Sequence, residues 1–486
     1  MQTECRSEKL EFQAPAGRPI VAEFNGGTIT SDGGVLLLKE VEAKRQNIRQ
    51  FAACFTDHRD AEKIEHPVED LLAQRIYGLA LGYEDLNDHD LIRKDPLLAA
   101  VIGKHDPTGE ARRRAADRGS ALAGKSTLNR LELRSDEAQK DGRYKKIAID
   151  AAKVEEFLIK IFLQARDRAP ELLIFDLDAT DDPLHGRQEG RFFHGYDGHY
   201  CYLTLYIFCG DFLLCARLRR ADQDQSAGAL DEIQRIVTRV RESWPEVRII
   251  LRGDAGFSRD AIMTWCESQE RVDYVFGQAK NERLLKLLGS EMAAAKHQFE
   301  ATSLPTRVFG EKRYQTLESW SRERRVVGKA EHLAAGANPR FVVTSLSQEQ
   351  YDARALYEDL YCARGEMENR IKEQQLELFA DRTSTKYLKS NQTRLWLSSV
   401  AYVLMNELRR LGLAETEMDQ AQCSTIRLRL LKIGAQVRVS VRRVWVRMAS
   451  SYPFQKMFVE IYRRLRGLDP HGRALLRLLQ DGKLLT

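Results

Sequence analysis

Three acidic positions, far apart in the chain, have the residue types of a metal-dependent phosphodiester site. Asp176 and Asp178 end an apolar run and are separated by one residue, so in a strand they face the same side. Asp254 follows the apolar run 249–251 and is flanked by glycines, which let the backbone approach closely and leave the acid exposed. Carboxylate oxygens suit Mg²⁺, and two such ions about 3.5–4 Å apart can activate a water or a 3′-hydroxyl for in-line attack.

A helical stripe supplies the third acid and the groups that grip phosphate. Tyr361, Arg364 and Glu368 are spaced i, i+3 and i+7 within a helix predicted from about 348 to 379, and Lys372 lies one turn further along the same face. Arg and Lys neutralise a phosphate, Arg by a bidentate fork. The stripe therefore predicts a face that holds a metal and a DNA backbone together.

The elements between these acids follow the order βββαβαβ and then a helix. Periodicity predicts strands over 172–178, 200–208, 212–218, 247–251 and 272–276, with turns at 196–198 and 210–211 and helices over 226–242 and 259–268. This order is that of a ribonuclease-H-like α/β sheet, in which the middle of the first strand and the end of the fourth lie side by side. The acids are thus expected to converge.

The remaining segments divide the chain of 486 residues into several parts. We expect an α-helical N-terminal DNA-binding domain (1–165), a ribonuclease-H-like catalytic core (166–280), a β-containing insertion (281–346), the closing helices of the core (347–413) and a basic C-terminal region (414–486). In the first part, helices are predicted over 32–43, with Asp32 as N-cap, and over 68–81.

Charge is distributed unevenly along the chain. Residues 386–486 carry 19 Lys and Arg against 7 Asp and Glu, a net +12, whereas the whole chain has a net charge of +5. This asymmetry is typical of a nucleic-acid-binding region, although a solvated helical face has the same composition. Within it, 437–448 reads as a strand with an arginine-rich face (Arg438, Arg442, Arg443 and Arg447) whose register shifts at the Arg442–Arg443 pair.

Each acidic position also has a structural explanation when it is taken alone. Asp176 and Asp178 could cap a strand, Asp254 could belong to a turn, and Arg364, Glu368 and Lys372 could form a salt-bridge ladder. Their combined order on the predicted elements favours the metal site.

Other motifs are set aside on physical grounds. The phosphate-loop pattern 119–126 follows a charged segment and not a buried strand, so we expect a helix start near Lys125 and no nucleotide site. His185, His194 and His199 lack the spacing of a zinc site and are expected at surfaces or turns. Trp396, Tyr402 and Trp445 are expected to be core aromatics, with base stacking as the alternative.

Composition excludes several classes of protein. The first 17 residues lack the apolar core of a secretory signal, and no apolar run reaches the roughly 18 residues of a membrane span. The 8 cysteines contain no C-x-x-C pair and are expected to be reduced packing thiols. We therefore expect a cytoplasmic protein.

The motifs together resemble those of bacterial insertion-sequence DDE transposases, and the chain is similar to the insertion-sequence thirteen-eighty family over nearly its whole length. The resemblance is carried by these stretches: Asp178-Ala179-Thr180, Arg252-Gly253-Asp254-Ala255-Gly256-Phe257, Tyr361-x2-Arg364-x3-Glu368, Thr30-Ser31-Asp32-Gly33-Gly34, Asp182-Pro183-Leu184-His185-Gly186, Tyr274-Val275-Phe276-Gly277 and Glu368-Asn369-Arg370-Ile371-Lys372-Glu373.

The resemblance implies a catalytic triad of Asp178, Asp254 and Glu368 that binds Mg²⁺, with Mn²⁺ as a possible substitute, and Tyr361 and Arg364 on the DNA backbone. It also implies a nucleoid-associated bacterial enzyme that cleaves the terminal inverted repeats of its element and joins the 3′ ends to target DNA, as a homodimer on double-stranded DNA without a nucleotide cofactor.

The sequence departs from the family signature at one position and leaves three questions open. The Lys expected seven residues after Glu368 is Gln375, and Lys372 is a candidate to replace it. The pattern favours Asp178 over Asp176 as the first ligand without settling the choice. A standalone ribonuclease-H-like endonuclease or resolvase, and a catalytically silent DNA-binding regulator, remain alternatives to a transposase.

Overall fold

The computed structural model describes residues 9–13, 17–132, 146–195 and 198–468. The strands of this part are, in chain order, β1 Leu10–Phe12, β2 Ile20–Ala22, β3 Ile29–Thr30, β4 Phe55–Asp57, β5 Ile147–Ile149, β6 Leu172–Pro183, β7 Phe192–His194, β8 His199–Cys209, β9 Phe212–Arg217, β10 Arg248–Gly253, β11 Val272–Gln278, β12 Thr306–Tyr314, β13 Arg324–Leu333, β14 Gly336–Ala337, β15 Arg340–Thr344, β16 Ala435–Val439 and β17 Val444–Met448.

Helices alternate with these strands. The α-helices are α1 Val35–Arg45, α2 Asn47–Ala52, α3 Val68–Leu81, α4 His89–Ile92, α5 Pro96–Ile102, α6 Lys125–Glu132, α7 Ala151–Gln164, α8 Ala229–Ser243, α9 Asp260–Ser268, α10 Glu282–Leu287, α11 Gly289–Thr302, α12 Ala353–Ala355, α13 Gly365–Lys372, α14 Leu388–Leu408, α15 Cys423–Ile426 and α16 Gln455–Arg466. The prediction of a helix over Val68–Leu81 is confirmed.

The chain forms two compact units. Of the described residues, those within 1–48, 60–131 and 407–486 belong to one unit, and those within 49–59 and 132–406 belong to the other. The second unit holds the large sheet and all three candidate acids.

The second unit is built on a ribonuclease-H-like sheet. Its strands lie in the order β12-β13-β15-β11-β10-β6-β8, and β9 pairs with the outer side of β8. The strands β9, β8, β6, β10 and β11 thus reproduce the third-second-first-fourth-fifth order of that fold. β10 is parallel to both β6 and β11, and β8 is antiparallel to both β6 and β9. The predicted fold class is confirmed.

Successive side chains of each strand point to opposite faces of the sheet, and both faces are buried. One face carries Phe175, Leu177 and Ile249, which share a core with side chains of α7 and α8. The other face carries Ile250, which packs with Leu356 and Leu360. Because side chains alternate with period two, Asp176, Asp178 and Arg252 are on the second face, under the helical segment that begins at α12.

That helical segment runs from Ala353 to Glu377 with changing hydrogen-bond spacing. Asp352 caps its start by accepting from the backbone N–H groups of Arg354 and Ala355. A π-helical turn (Leu356–Tyr361) and a 3₁₀ turn (Cys362–Arg364) precede α13, and a second π-helical turn (Glu373–Glu377) follows it. The long predicted helix is therefore one segment with four changes of pitch, a feature common near functional sites.

The predicted insertion extends the sheet. β15 pairs antiparallel with β11, and β13 and β12 add to it in turn. Strands of this segment therefore form one continuous sheet with the ribonuclease-H-like strands.

A pair of glycines fixes the N-terminal segment of the first unit against its C-terminal segment. The Gly33 and Gly34 N–H groups donate to the carbonyls of Ile433 and Leu431, at 2.8 and 3.0 Å. A Cβ on Gly34 would overlap the Leu430 carbonyl and would lie 2.5 Å from the Leu431 Cα. Only glycine permits this approach, so the Gly-Gly pair acts in docking.

The prediction that Asp32 caps the first helix is wrong. α1 begins at Val35, three residues further on, and no side chain caps it. Asp32 is instead buried, and it accepts from the Tyr83 hydroxyl at 2.6 Å and from the Lys432 Nζ at 2.7 Å. The carboxylate is thus used in a contact between distant segments that periodicity cannot reveal.

Two predictions about the C-terminal region are also corrected. The single strand predicted over 437–448 is a hairpin of β16 and β17, and the supposed register shift at Arg442–Arg443 is its turn. Trp396 and Tyr402 are buried as predicted, but Trp445 is 50% exposed on this hairpin.

No helix of the described residues is long and apolar enough to cross a membrane. The cysteines of this part of the chain form no disulfide bonds, and Cys362 is the exposed one among them.

The glycine contact predicts a stability effect. We expect Gly34→Ala to lower the free energy of unfolding by about 1–3 kcal/mol, since a methyl group must displace the backbone of the Leu430–Leu431 segment. Urea unfolding followed by tryptophan fluorescence measures the change. Gly434→Ala is the matched control, because a Cβ there meets no atom within 4 Å. Equal midpoints for the two variants would contradict the docking role.

Candidate active site

Strand register decides how the two aspartates of β6 differ. Arg252 of β10 lies beside Asp176 in the parallel ladder. Its guanidinium donates to both Asp176 oxygens, at 2.5 and 2.8 Å, and both side chains are buried. The same guanidinium donates to the Leu360 carbonyl of the helical segment at 2.5 Å. Asp176 is therefore committed to an internal ion pair.

Asp178 lies one strand repeat further along and has no such partner in β10. Its Oδ1 accepts from the Ala179 backbone N–H at 3.0 Å and lies 3.9 Å from the Arg364 Nη1. Burial raises the pKa of Asp178 to about 6; Arg364 opposes this increase, and the carboxylates of Asp254 and Glu368 add to it. The electrostatic coupling indicates that the three acids lie in one region.

Asp254 is presented by the turn that ends β10. It caps a short 3₁₀ turn (Ala255–Phe257), where its Oδ1 accepts from the Gly256 N–H at 2.9 Å. Gly277 of β11 lets the Tyr361 hydroxyl come close, because a Cβ at Gly277 would lie 2.7 Å from that oxygen and 3.2 Å from the Asp254 carbonyl carbon. Tyr361 thus lies against the backbone that carries Asp254.

Arg364 lies between the acids of the strands and the acid of α13. Its Nη2 donates to the Glu368 Oε1 at 2.9 Å. Burial alone would lower the pKa of this guanidinium, but Asp178, Tyr361, Glu368 and Asp254 together raise it. Among the described residues, the oxygens of Asp178, Asp254 and Glu368 do not all lie within 4.8 Å of one another. Because it lies next to Asp178 and Glu368, the Arg364 guanidinium balances part of the negative charge of the three carboxylates.

The three carboxylates fit a hard divalent cation. They offer only oxygen ligands, which Mg²⁺ and Mn²⁺ prefer. The site also already attracts a positive group, since the Arg364 guanidinium lies 3.9 Å from Asp178 and 2.9 Å from Glu368. Asp176 does not fit, because Arg252 takes both of its oxygens.

Comparison with known proteins identifies the class of enzyme. The family model described as transposase DDE domain group 1 matches residues 12–470, nearly the whole chain. This chain belongs to that family. It is therefore a DDE-type transposase, an enzyme of DNA transposition and recombination, and DDE transposases generally use divalent metal ions.

Other comparisons add little to this family assignment. The chain is similar to the piggyBac transposase in a cryo-EM structure of its synaptic complex with hairpin DNA, at 11% identity over 94% of this chain and 83% of that chain, with a TM-score of 0.41. A search of curated proteins gave no match.

The other predicted DNA-contacting residues of this DDE transposase lie in different places. Lys372 is exposed at the end of α13. Arg438 lies on β16, and Arg442 and Arg443 lie in the turn of the hairpin, all exposed and all in the other unit. Gln375, at the position of the missing Lys, donates to the Asp181 carbonyl at 3.1 Å.

The motifs set aside from the sequence have ordinary structural roles. Lys125 begins α6, and the residues before it form turns and not a strand. His199 Nε2 lies 2.9 Å from Asp181, and His185 is exposed. The predicted turn at 196–198 falls partly outside the described residues, because 196 and 197 are not among them.

Sequence reasoning missed two residues that shape the site. Arg252 was read only as part of a motif, although its position two residues before Asp254 is the same as that of Asp176 before Asp178. Gly277 follows a predicted strand, and the sequence indicates only that it belongs to a stretch that resembles the family. Both roles depend on strand register, which apolar spacing does not specify.

We expect substitution by asparagine to have opposite effects on the free energy of unfolding at the two aspartates of β6. The pKa of Asp178 rises from 3.8 to about 6 on folding, so the folded state binds this proton more tightly. The carboxylate therefore costs no stability below about pH 4, and its cost grows with pH and is complete above about pH 6. We expect Asp178→Asn to raise the metal-free free energy of unfolding by about 1–3 kcal/mol at pH 8 and to have little effect at pH 4.

Asp176→Asn is the matched control. It leaves the buried Arg252 guanidinium without its counter-charge, so we expect a loss of about 3 kcal/mol or more. Urea titrations in EDTA at pH 4, 6 and 8 measure both variants. A stabilisation by Asp178→Asn that does not change with pH would argue against a buried, desolvated carboxylate.

Proposed function

We propose that this DDE transposase belongs to a bacterial insertion sequence of the thirteen-eighty type, cleaves DNA at the inverted-repeat ends of its element and joins the 3′ ends to target DNA. The observation that supports this proposal best is the electrostatic coupling of Asp178, Asp254 and Glu368 around Arg364. Their order on the first strand, the fourth strand and the closing helix of a ribonuclease-H-like sheet supports it further.

Asp178, Asp254 and Glu368 are the proposed metal ligands, with Mg²⁺ as the ion and Mn²⁺ as a substitute. When bound, a pair of such ions would promote deprotonation of the attacking water or 3′-hydroxyl and stabilise the leaving oxygen. Asp178 is the proposed ligand of β6 because Asp176 is paired with Arg252. To act as a ligand, Asp178 must lose its proton, so the cation competes with that proton and should bind more tightly as the pH rises through about 6.

The remaining side chains of the site act on the phosphate. Arg364 is directed at the acids by its contacts with Asp178 and Glu368, so it can fork onto a phosphate that lies between them. Burial raises the pKa of Tyr361, which keeps its hydroxyl protonated and able to donate to a phosphate oxygen. Lys372 is exposed on the next turn, where it can take the position of the Lys that the signature has at Gln375.

Binding of the element's ends is assigned to the basic surfaces. Arg438, Arg442 and Arg443 are exposed and offer phosphate and base contacts on double-stranded DNA. Two ends must be cut and joined together, so the proposed assembly is a homodimer that holds one end in each subunit. No nucleotide cofactor is needed, because each step is a direct transfer at phosphorus.

Substitution of the acids tests the chemistry. We expect Asp254→Asn and Glu368→Gln each to lower the cleavage rate more than about 100-fold, since groups outside the ligand shell are already worth about 10–100-fold. Binding of a duplex taken from the DNA that flanks the gene should remain. Glu366→Gln is the control, because this acid is also exposed on α13 but points to another side of the helix.

Three outcomes of that experiment are decisive. Unchanged cleavage in both ligand variants would remove the proposed mechanism. Cleavage by the wild type without joining of pre-cut ends to a plasmid would instead indicate a nuclease or resolvase. Binding of the ends without any cleavage would indicate a regulator.

Metal binding can be measured without activity. At pH 8, Mg²⁺ at about 100 times its dissociation constant should raise the free energy of unfolding of the wild type by about 2.7 kcal/mol. Asp178→Asn and Asp254→Asn should lose most of this stabilisation, and Asp176→Asn should keep a Mg²⁺-dependent increase from its lower baseline. Equal stabilisation of all four proteins would show that the ions bind elsewhere.

A further inference from the structure

The hairpin of β16 and β17, here called the β-ribbon (435–448), has an unusual composition. Its fourteen residues contain four arginines and no acidic residue. Most of its large side chains are exposed, including Trp445 at 50% and Val441 at the tip, which is fully exposed. Val444 is exposed as well, so the ribbon presents three exposed apolar side chains (Val441, Val444 and Trp445) beside its arginines, and grouped exposed apolar side chains with a polar rim are typical of interaction surfaces.

Strand pairing sorts the ribbon side chains onto two faces. Arg438 lies directly opposite Trp445, and Gln436 directly opposite Arg447. These four side chains share one face and are exposed. The other face carries Ala435 and Val437, which are buried in the first unit. The ribbon therefore has an apolar inner face and a polar, aromatic outer face.

The ribbon is fixed at its base and ordered at its tip. Gln436 pairs with Ile29 of β3, and the Val437 N–H donates to the Thr28 carbonyl at 2.8 Å. At the other end, Ser440 closes the turn, because its N–H and hydroxyl donate to the Arg443 carbonyl at 2.9 and 2.8 Å. Such a preorganised element loses little conformational entropy on binding.

The ribbon arginines have no counter-charges within the part of the chain that the structure describes. Arg438, Arg442, Arg443 and Arg447 form no ion pair there. Other arginines of the same unit are paired, such as Arg45 with Glu407 at 3.0 Å and Arg112 with Glu65 at 2.9 Å. The Arg443 guanidinium instead lies 5.8 Å from the centre of the Trp445 ring. Their positive charge is thus available to an anionic partner.

We propose that the outer face of the β-ribbon enters the major groove of double-stranded DNA and reads base edges at the element's ends, an inference that rests on the proposed function for the existence of specific ends. Gln436, Arg438 and Arg447 contact bases, Trp445 packs against the duplex beside them, and the tip residues Arg442 and Arg443 contact phosphates.

The dimensions of the ribbon fit this groove. The major groove is about 12 Å wide and admits a two-stranded ribbon, and it carries a distinct donor and acceptor pattern for each base pair. Side chains two residues apart on a strand are about 6.8 Å apart, which is two base-pair steps of B-form DNA. Arginine can pair bidentately with guanine and glutamine with adenine, so the face carries the two side-chain types that read purines best.

A duplex of DNA explains the face better than RNA does. The major groove of A-form RNA is deep and narrow, so a ribbon cannot reach its base edges. An acidic peptide would satisfy the arginines but leaves the row of Gln436 and Arg438 without a reason to share one face with Trp445. Binding to RNA is therefore an outcome of the test that counts against the proposal.

Three ribbon variants and defined duplexes test the assignment. The probes are 40-base-pair duplexes taken from each flank of the gene, the same sequence shuffled, and a duplex RNA of the flank sequence, all measured by fluorescence anisotropy at several salt concentrations. We expect Arg438→Gln and Trp445→Ala to lower the preference for flank over shuffled DNA about tenfold. The double variant Arg442→Gln/Arg443→Gln should weaken both equally and reduce the salt slope by about 2.

Two controls separate base reading from charge and from folding. Arg114→Gln removes an exposed arginine of the same unit outside the ribbon and should keep the preference. Guanines replaced by 7-deazaguanine in the flank duplex should weaken binding by the wild type and weaken binding by Arg438→Gln less, because the major-groove acceptor N7 is missing and only Arg447 still depends on it. All variants must keep the wild-type urea midpoint, as expected for exposed side chains.

The results distinguish failure of this proposal from failure of the proposed function. A wild type that cleaves flank DNA while the ribbon variants keep full preference would overturn the ribbon assignment alone. Lost preference in the variants of a chain that cleaves nothing would leave the ribbon assignment intact and overturn the chemistry. Equal effects on DNA and duplex RNA, no effect of 7-deazaguanine, or no preference in the wild type would each overturn groove reading.

Discussion

One buried guanidinium joins the three elements that carry the candidate ligands. Arg252 lies two residues before Asp254, pairs with Asp176 two residues before Asp178, and donates to the Leu360 carbonyl, eight residues before Glu368. Because a buried charge without its partner is costly, β10, β6 and the helical segment cannot move apart without exposing or stranding this group. The relative positions of the three candidate acids are therefore constrained by a residue that is not itself a candidate ligand.

The candidate site contributes less to the stability of the fold than the apolar face of the same strand does. Asp178 is largely buried with like charges nearby, and burial raises its pKa to about 6, which identifies it as a carboxylate that folding alone does not stabilise. The opposite face of the same strand carries Phe175 and Leu177, each fully buried in the core. Burial of one such side chain contributes about 1.5–3 kcal/mol, so two of them more than offset one desolvated acid. Strand alternation thus puts the stabilising side chains and the candidate ligand on the four consecutive residues Phe175–Asp178.

The sequence allowed prediction of the sheet order and most strand bounds, and it placed the three candidate acids on neighbouring elements, since these depend on local apolar periodicity and on chain order. It did not reveal what depends on pairing between distant segments. Asp176 and Asp178 are equivalent by spacing, and only the register of β10 distinguishes them. Asp32 is of a residue type that commonly caps helices, yet it forms an ion pair with Lys432, four hundred residues later. In the C-terminal region, one long strand and a hairpin show the same alternation of apolar and charged residues. The sequence pattern therefore did not reveal the turn that leaves Trp445 exposed on the hairpin.

The division of the chain between the two units has a consequence for synthesis on the ribosome. Everything that the ribonuclease-H-like unit requires has left the ribosome soon after residue 406, whereas the first unit needs Leu431, Lys432 and Ile433 to complete contacts that begin at Asp32. Since domains generally fold as they emerge, the ribonuclease-H-like sheet forms before the carbonyl groups that accept from Gly33 and Gly34 are available. A chain that ends between residues 407 and 430 would thus hold all three candidate acids but lack Leu431, Lys432 and Ile433, so its N-terminal segment could not form the contacts of Asp32, Gly33 and Gly34.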